Sequence, residues 1–385
     1  MVIQGDIMYK VAFIDDGIME GIQELPEQVR KYKIRNGVLE EKKEHSSLFC
    51  LSHGTMCFLI FAEYVIDKEY ILYDIQILNE LTSSGNVKDL AEALRFCLDE
   101  KVDLINMSLG ITHHIDSEGE DILKKLHTNG TIMVAAQNNN NQITYPACSP
   151  YVYGVMRDYV GILKKDQFCY IDNDDRKIDI ISHCEVSDIE SKHGVIMGKQ
   201  NSFSTPYISA LIYNELTKGG DQESIQHFLK KNAIPSNIMN QWEYKKKSIS
   251  DWKDEISIPI IDIELKNSSQ KYFEELINTF RKEEFNAMGI WFGEMYKKEE
   301  SYIFQYYTNE YGVEFDMEKA IKWVYNIAMP DIIFIGHDVK TAFTLNNSVD
   351  VILTDDISNN DKILSVSGKN SEQIFEMILS YFGEN

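Results

Sequence analysis

The sequence predicts an α/β protein built on a mostly parallel sheet and followed by a smaller C-terminal α/β domain. Three observations carry this. A β-branched and aromatic run at residues 11–14 ends in carboxylates, strand-like and helix-like periodicities alternate from there to about residue 233, and an aperiodic polar stretch precedes a second alternating pattern. Strands separated by helical segments give right-handed β-α-β units, and hence parallel pairing.

The first strand, within residues 11–18 (VAFIDDGI), delivers Asp15 at its C-terminal end; Asp-Gly after a strand is also what a plain turn looks like. Asp16 is expected to point to solvent, because buried unpaired carboxylates are rare. His53-Gly54-Thr55 then opens the apolar run 56–62, long enough for a buried helix starting at the histidine. A helix-capping histidine beside a core helix is the alternative. Residues 71–78 read as a strand. Val87, Leu90, Ala91, Leu94, Cys97 and Leu98 recur at helical spacing before the strand 102–110. Residues 122–126 form a short helix closed by Asn129-Gly130, a C-cap pair leading into the strand 131–136. Ser202 precedes Thr205-Pro206 and the apolar run 207–213, which places its hydroxyl at the start of a buried helix, where a simple serine N-cap also fits. Residues 221–232 close the core as an amphipathic helix. A parallel sheet collects functional groups at strand C-terminal ends, where Asp15, Gly110 and Asn138 fall.

The order Asp15, His53, Ser202 is what acyl-transfer chemistry requires of three such segments. A serine hydroxyl is a poor nucleophile at neutral pH and needs an adjacent base, and imidazole has a pKa close to working pH. A buried carboxylate on the other ring nitrogen orients the imidazole and stabilises the imidazolium. Together the segments resemble the subtilisin-like serine peptidases (subtilases), in which the triad runs in this chain order. Residues 102–110 (VDLINMSLG) resemble that family's cleft-lining strand, residues 134–138 (VAAQN) its strand ending in the oxyanion asparagine, and Tyr145-Pro146-Ala147 follows as in the family. The matches are ordered across residues 8–233. The resemblance implies a subtilisin-like three-layer fold, with Ser202 as nucleophile, His53 as general base and then acid, Asp15 fixing the histidine tautomer and Asn138 in the oxyanion hole. It implies a substrate cleft lined by Ser108, Leu109, Gly110, Ala135, Ala136 and Gln137. Three features depart from the pattern. Gln200-Asn201 stands where Gly-Thr is usual before the nucleophile, Asp16 where Ser or Thr is usual, and Gln137 where Gly is usual, which makes the specificity pocket small or polar.

A formal net charge of −23 over 385 residues excludes nucleic acid or an anionic membrane as the main partner. A peptide or protein substrate is expected, basic ones being attracted to such a surface. No secretory signal pattern precedes the first strand, no apolar run approaches the roughly 20 residues of a membrane span, and the six cysteines lack metal-ligand spacing. The protein is therefore expected in the cytoplasm with reduced, mostly buried thiols, no disulfides, no metal and no cofactor. Only ten residues precede the catalytic strand, so folding is expected to need no cleaved prodomain.

Residues 1–234 are read as the catalytic domain, 235–256 as a linker and 257–385 as the second domain. Its strands are expected at 258–265, 287–292, 302–307, 330–336, 349–354 and 363–366, its helices at 272–281, 317–327 and 371–382. Gly368-Lys369 lacks the earlier glycine of a phosphate loop and reads as a turn. Asp355-Asp356 and His337-Asp338 lack a third ligand at fixed spacing and read as exposed loop residues. The function expected is a cytoplasmic serine endopeptidase, selective for a substrate such as the leader of a ribosomally made peptide. The alternatives are a general turnover protease and a non-catalytic peptide-binding module.

Overall fold

The computed structural model describes residues 8–383 apart from 43–50, 80–84, 112–116, 173–176, 185, 240, 250, 265–269, 294–301, 307–316, 338–348 and 356–361. Two compact units divide the chain, Met1–Ser250 and Asp251–Asn385.

The N-terminal unit contains β1 (Tyr9–Asp15), β2 (Gln28–Arg35), β3 (Val38–Glu41), β4 (Tyr70–Gln76), β5 (Leu104–Met107), β6 (Ile132–Ala136), β7 (Tyr153–Arg157), β8 (Phe168–Tyr170) and β9 (Ile180–Ser182). They form one sheet in the order β3-β2-β4-β1-β5-β6-β7-β9-β8, parallel except at its two edges, where β2 pairs β3 and β8 pairs β9 antiparallel. Val11–Ile14 of the central strand is fully buried, as expected where both faces of a parallel sheet are covered. On one face lie α1 (His53–Tyr64) and α5 (Asn201–Leu216), with Phe13 packing against Phe58 and Phe61. Ala12 pairs in register with Tyr73, which packs on Phe96 of α2 (Val87–Glu100). Because side chains alternate along a strand, α2 and its neighbour α3 (Ser117–Thr128) cover the other face. The result is the three-layer α/β architecture read from the sequence. The alternation did not reveal the β2–β3 hairpin. Its turn is Asn36-Gly37, at φ 53° and 74°, the geometry that Asn-Gly favours.

Smaller helices follow: α4 (Ser187–His193), α6 (Gln222–Asn232) and α7 (Trp242–Ser248). The last lies in the stretch read as a linker. Tyr244 of α7 is buried with Met239 against Met156, Cys169 and Ile181, its hydroxyl donates to Asp158 at 3.0 Å, and the Asn141 amide donates to the Ser248 carbonyl. A two-turn helix anchored by one aromatic residue leaves no periodic trace. The unit boundary falls at 250/251, within the stretch 235–256 read as a linker.

In the C-terminal unit, β10 (Ile260–Glu264), β11 (Ala287–Phe292), β12 (Ile303–Tyr306), β13 (Ile332–His337), β14 (Val351–Thr354) and β15 (Ile363–Ser365) form a parallel sheet ordered β12-β11-β13-β10-β14-β15. This repeats the order of the first six strands of the N-terminal unit, with the first strand central in each. Helix α8 (Gln270–Lys282) buries Phe273, Leu276, Ile277 and Phe280, the spacing of one helical face. It lies close enough to β13 that a Cβ at Gly336 would sit 2.8 Å from the Phe273 ring. The remaining helices are α9 (Met317–Ala328) and α10 (Ser371–Gly383), and Phe375 of α10 packs on Phe280 of α8. Gly368, at φ 73°, lies in a turn. His337 ends β13, partly buried, and is not an exposed loop residue. Asp338 and Asp356 lie outside the described residues.

Candidate active site

Asp15 sits at the carboxyl end of β1, His53 is the first residue of α1 and Ser202 the second residue of α5. Because α1 and α5 pack on the same sheet face, their N-termini converge at that end of β1. The His53 Nδ1 lies 2.9 and 3.0 Å from the two Asp15 carboxylate oxygens, and its Nε2 lies 2.9 Å from the Ser202 Oγ. Asp15 is 1% exposed and Ser202 6%. The imidazole stacks on Phe203, ring centres 5.4 Å apart. Such an arrangement can draw the serine proton onto Nε2 while the carboxylate holds Nδ1–H and the charge that forms on the ring.

The start of α1 fixes the histidine backbone. Ser52 caps the helix, accepting from the Thr55 N–H at 3.1 Å. Asp16 is 4% exposed. Its carboxylate accepts from the His53 N–H at 3.1 Å and the Gly54 N–H at 2.7 Å. This corrects the expectation of a solvent-facing Asp16: the first N–H groups of a helix lack intrahelical partners, and a carboxylate satisfies them and favours the positive helix end. Burial, followed by the adjacent Asp15 charge, raises the Asp16 carboxyl above its ordinary value, against the Gly54 hydrogen bond. Gly54 is required by space. A Cβ there would lie 2.9 Å from the Gly17 carbonyl and 3.0 Å from the Asp15 Cβ.

Cys57, one turn along α1 and fully buried, places its sulfur 3.9 Å from both ring nitrogens. It also donates to the Ser202 carbonyl at 3.6 Å, the group that Pro206, lacking an N–H, leaves without its i+4 partner. Burial opposes protonation of His53, but the Asp15 carboxylate against Nδ1 favours it, and the ring is held above its ordinary value. Burial raises the Cys57 thiol.

Asn138 follows β6 and shares a cleft of about 470 Å³ with His53 and Ser202. Its amide donates to the Gln142 side chain at 3.0 Å and accepts from the Gln142 N–H at 2.9 Å. Ser108, Leu109, Gly110, Ala136 and Gln137 line the same cleft. Ala135 does not: it is fully buried within β6, where the strand alternation turns its side chain into the core. Gln137, 2% exposed, brings a polar side chain to the cleft.

Asn201 stands out from sequence only as a departure from the family pattern, with no role assigned to it. It is 1% exposed, and its amide nitrogen donates to the Asn138 carbonyl at 2.5 Å and to Asn141 at 2.6 Å, while its oxygen accepts from the Arg157 N–H at 2.9 Å. Its own N–H donates to the Asn139 side chain at 2.9 Å. One residue thus ties the Asn138 loop to the start of the Ser202 helix. An asparagine before a serine reads locally as an ordinary helix start, so only its departure from the family pattern marks the position.

Residues 8–161 match the family model described as the subtilase family. Over those residues the chain is similar to the subtilases. Its sequence is 24% identical over 186 residues to the major intracellular serine protease of Bacillus subtilis (strain 168), a match covering 46% of this chain and 56% of that protein, so only about half of that relative's length is spanned. Among solved structures, the S41 psychrophilic protease aligns over 57% of this chain and 81% of its own, at 16% identity and a TM-score of 0.45. A lanthipeptide protease aligns over 59% of this chain and 80% of its own, at 14% identity and a TM-score of 0.44. The five described cysteines of the N-terminal unit are free and buried; Cys50 lies outside the described residues. Among the described residues no helix is long and apolar enough to cross a membrane.

Proposed function

We propose that this chain is a serine endopeptidase in which Ser202 attacks the scissile carbonyl, His53 carries the proton to the leaving amine and Asp15 holds the imidazole. The observation that carries the reading is the pair of 2.9 Å contacts that links the Asp15 carboxylate, the His53 ring and the Ser202 hydroxyl in series. The oxyanion would be met by the Asn138 amide and by the Ser202 N–H, which lies in the first turn of α5, where backbone donors lack intrahelical acceptors.

We further propose that the enzyme is selective and acts inside the cell on a peptide, leader removal from a ribosomally made precursor being the reaction of this kind. Gln137, Asn138, Asn139 and Gln200 give the cleft a polar lining, which disfavours large apolar side chains because amide groups would be left unpaired. Free buried thiols fit a reducing compartment, and the similarity to an intracellular protease points the same way.

The test is incubation of wild type and Ser202→Ala with a proteome-derived peptide library, the cuts being read by mass spectrometry. Cleavage confined to a narrow sequence class and absent in Ser202→Ala supports both parts. Broad cleavage lost in Ser202→Ala leaves a turnover protease, and cleavage retained in Ser202→Ala refutes the triad.

A further inference from the structure

A second group of chemistry-bearing side chains lies in the C-terminal unit, outside everything the peptidase reading uses. Asp262 and Glu264 belong to β10 and His337 to the neighbouring β13. Ile263 pairs with Gly336 in register, which places Glu264 beside His337 at the carboxyl ends of both strands. Residues two apart on a strand share a face. Since Gly336 faces α8, Asp262, Glu264 and His337 all project from the opposite face. Their ligand atoms lie within 4.8 Å of one another.

Asp262 is the decisive residue. Its side chain is fully buried, and neither carboxylate oxygen has a hydrogen-bond partner among the described residues. The nearest compensating group is the His337 Nε2 at 3.5 Å, beyond the roughly 2.7–3.2 Å of an N–H···O hydrogen bond. A buried carboxylate is strongly disfavoured unless it is paired, hydrogen-bonded or bound to a metal. The exposed Glu264, at the end of β10, adds a second acid to the same spot. Two carboxylates and one imidazole make a set that is short of positive charge.

We propose that Asp262, Glu264 and His337 bind one divalent transition-metal ion of the Zn²⁺ class. An imidazole with two carboxylates suits zinc, manganese or iron; calcium and magnesium take oxygen ligands. Ligand atoms each about 2.0–2.2 Å from one zinc ion lie within roughly 4 Å of one another, and the His337 Nε2 and an Asp262 oxygen are already 3.5 Å apart. The carboxyl ends of central strands are also where open parallel sheets hold their ligands.

The Asp15, His53 and Cys57 atoms form another such group, so the test must separate the two. Full-length protein carrying Ser202→Ala, which prevents self-digestion, is stripped with a chelator and titrated calorimetrically with ZnCl₂ at pH 7.5. The expected result is one equivalent bound at micromolar affinity or tighter. His337→Ala and Asp262→Asn, each made in that background, should weaken this binding at least 30-fold, and Glu264→Gln about 10-fold. Co²⁺ in place of Zn²⁺ should give a visible d–d spectrum that is lost in His337→Ala. Absence of binding tighter than 100 µM overturns the proposal, as does zinc affinity unchanged by His337→Ala and Asp262→Asn, which would leave an internal ion pair only. Glu264 is the most exposed of the three, so Glu264→Gln serves if the buried variants fail to fold, and unchanged zinc affinity in it then counts against the site.

Discussion

The protonation of His53 governs the proposed chemistry. The sequence suggests a rate that rises through the reference imidazole value of about 6.5, but the Asp15 carboxylate holds the ring higher despite its burial. Since catalysis needs the neutral ring, the rise of kcat/KM with pH is expected to centre above 6.5; a midpoint at or below that value would count against the Asp15 contact. The same shift has a stability side. The folded state binds this proton more tightly than the unfolded chain, so the contribution is fully present below about pH 6.5 and is lost as pH rises through the folded value. Thiol alkylation of the native enzyme should leave the rate unchanged, because Cys57 is fully buried and its thiol is raised by burial. Asn138→Ala is expected to lower kcat by about 10²–10³ with little change in KM, the cost of one oxyanion donor. Wild-type turnover would place that donor elsewhere.

The start of α1 carries the next prediction. Asp16 accepts two of the helix's first N–H groups and so sets where His53 stands relative to Asp15. Asp16→Ala should destabilise the protein by about 1–2 kcal/mol, the scale of a lost helix cap, and should lower kcat more than it raises KM. Asp16→Asn, which keeps an acceptor oxygen, should recover most of the stability. Urea unfolding in the Ser202→Ala background, together with steady-state rates in the parent, reads both. Equal damage from the two variants would show that Asp16 acts through its charge and not as a cap.

For the molecule as a whole, the place to divide the chain is residue 250. A protein ending there retains α7, with Tyr244 on Asp158 and Ser248 on Asn141, and should hydrolyse short peptides. One ending at 240 loses both contacts and the buried Tyr244 side chain. A drop of at least about 2 kcal/mol in urea stability is expected, the cost of removing a well-buried aromatic residue. Equal stability of the two chains would return residues 241–250 to the role of a linker. If the C-terminal unit docks substrate, the 1–250 chain should lose affinity for the native peptide while keeping its rate on short ones.

The sequence by itself determined the layered parallel sheet, the strands β1, β4, β5 and β6 and the main helices of the first unit, the elements of the second unit, and the three segments that hold Asp15, His53 and Ser202; it did not reveal β2, β3, β7, β8, β9, α4 or α7. Each of these has a local signature: burial on one or both faces sets a period of 2.0 or 3.6, and the apolar runs after His53 and Ser202 mark helices that begin there. Tertiary structure alone decided which side chains meet. His53 and Ser202 are 149 positions apart and Asp262 and His337 lie on different strands, so no spacing along the chain displays either encounter. Asp16 and Asn201 are single polar residues at element ends, and such residues have no period. Their roles follow from backbone groups delivered by other elements, as does the place of α7 in the core. Local periodicity encodes which face of an element is buried, whereas strand order and helix packing fix what that face is buried against.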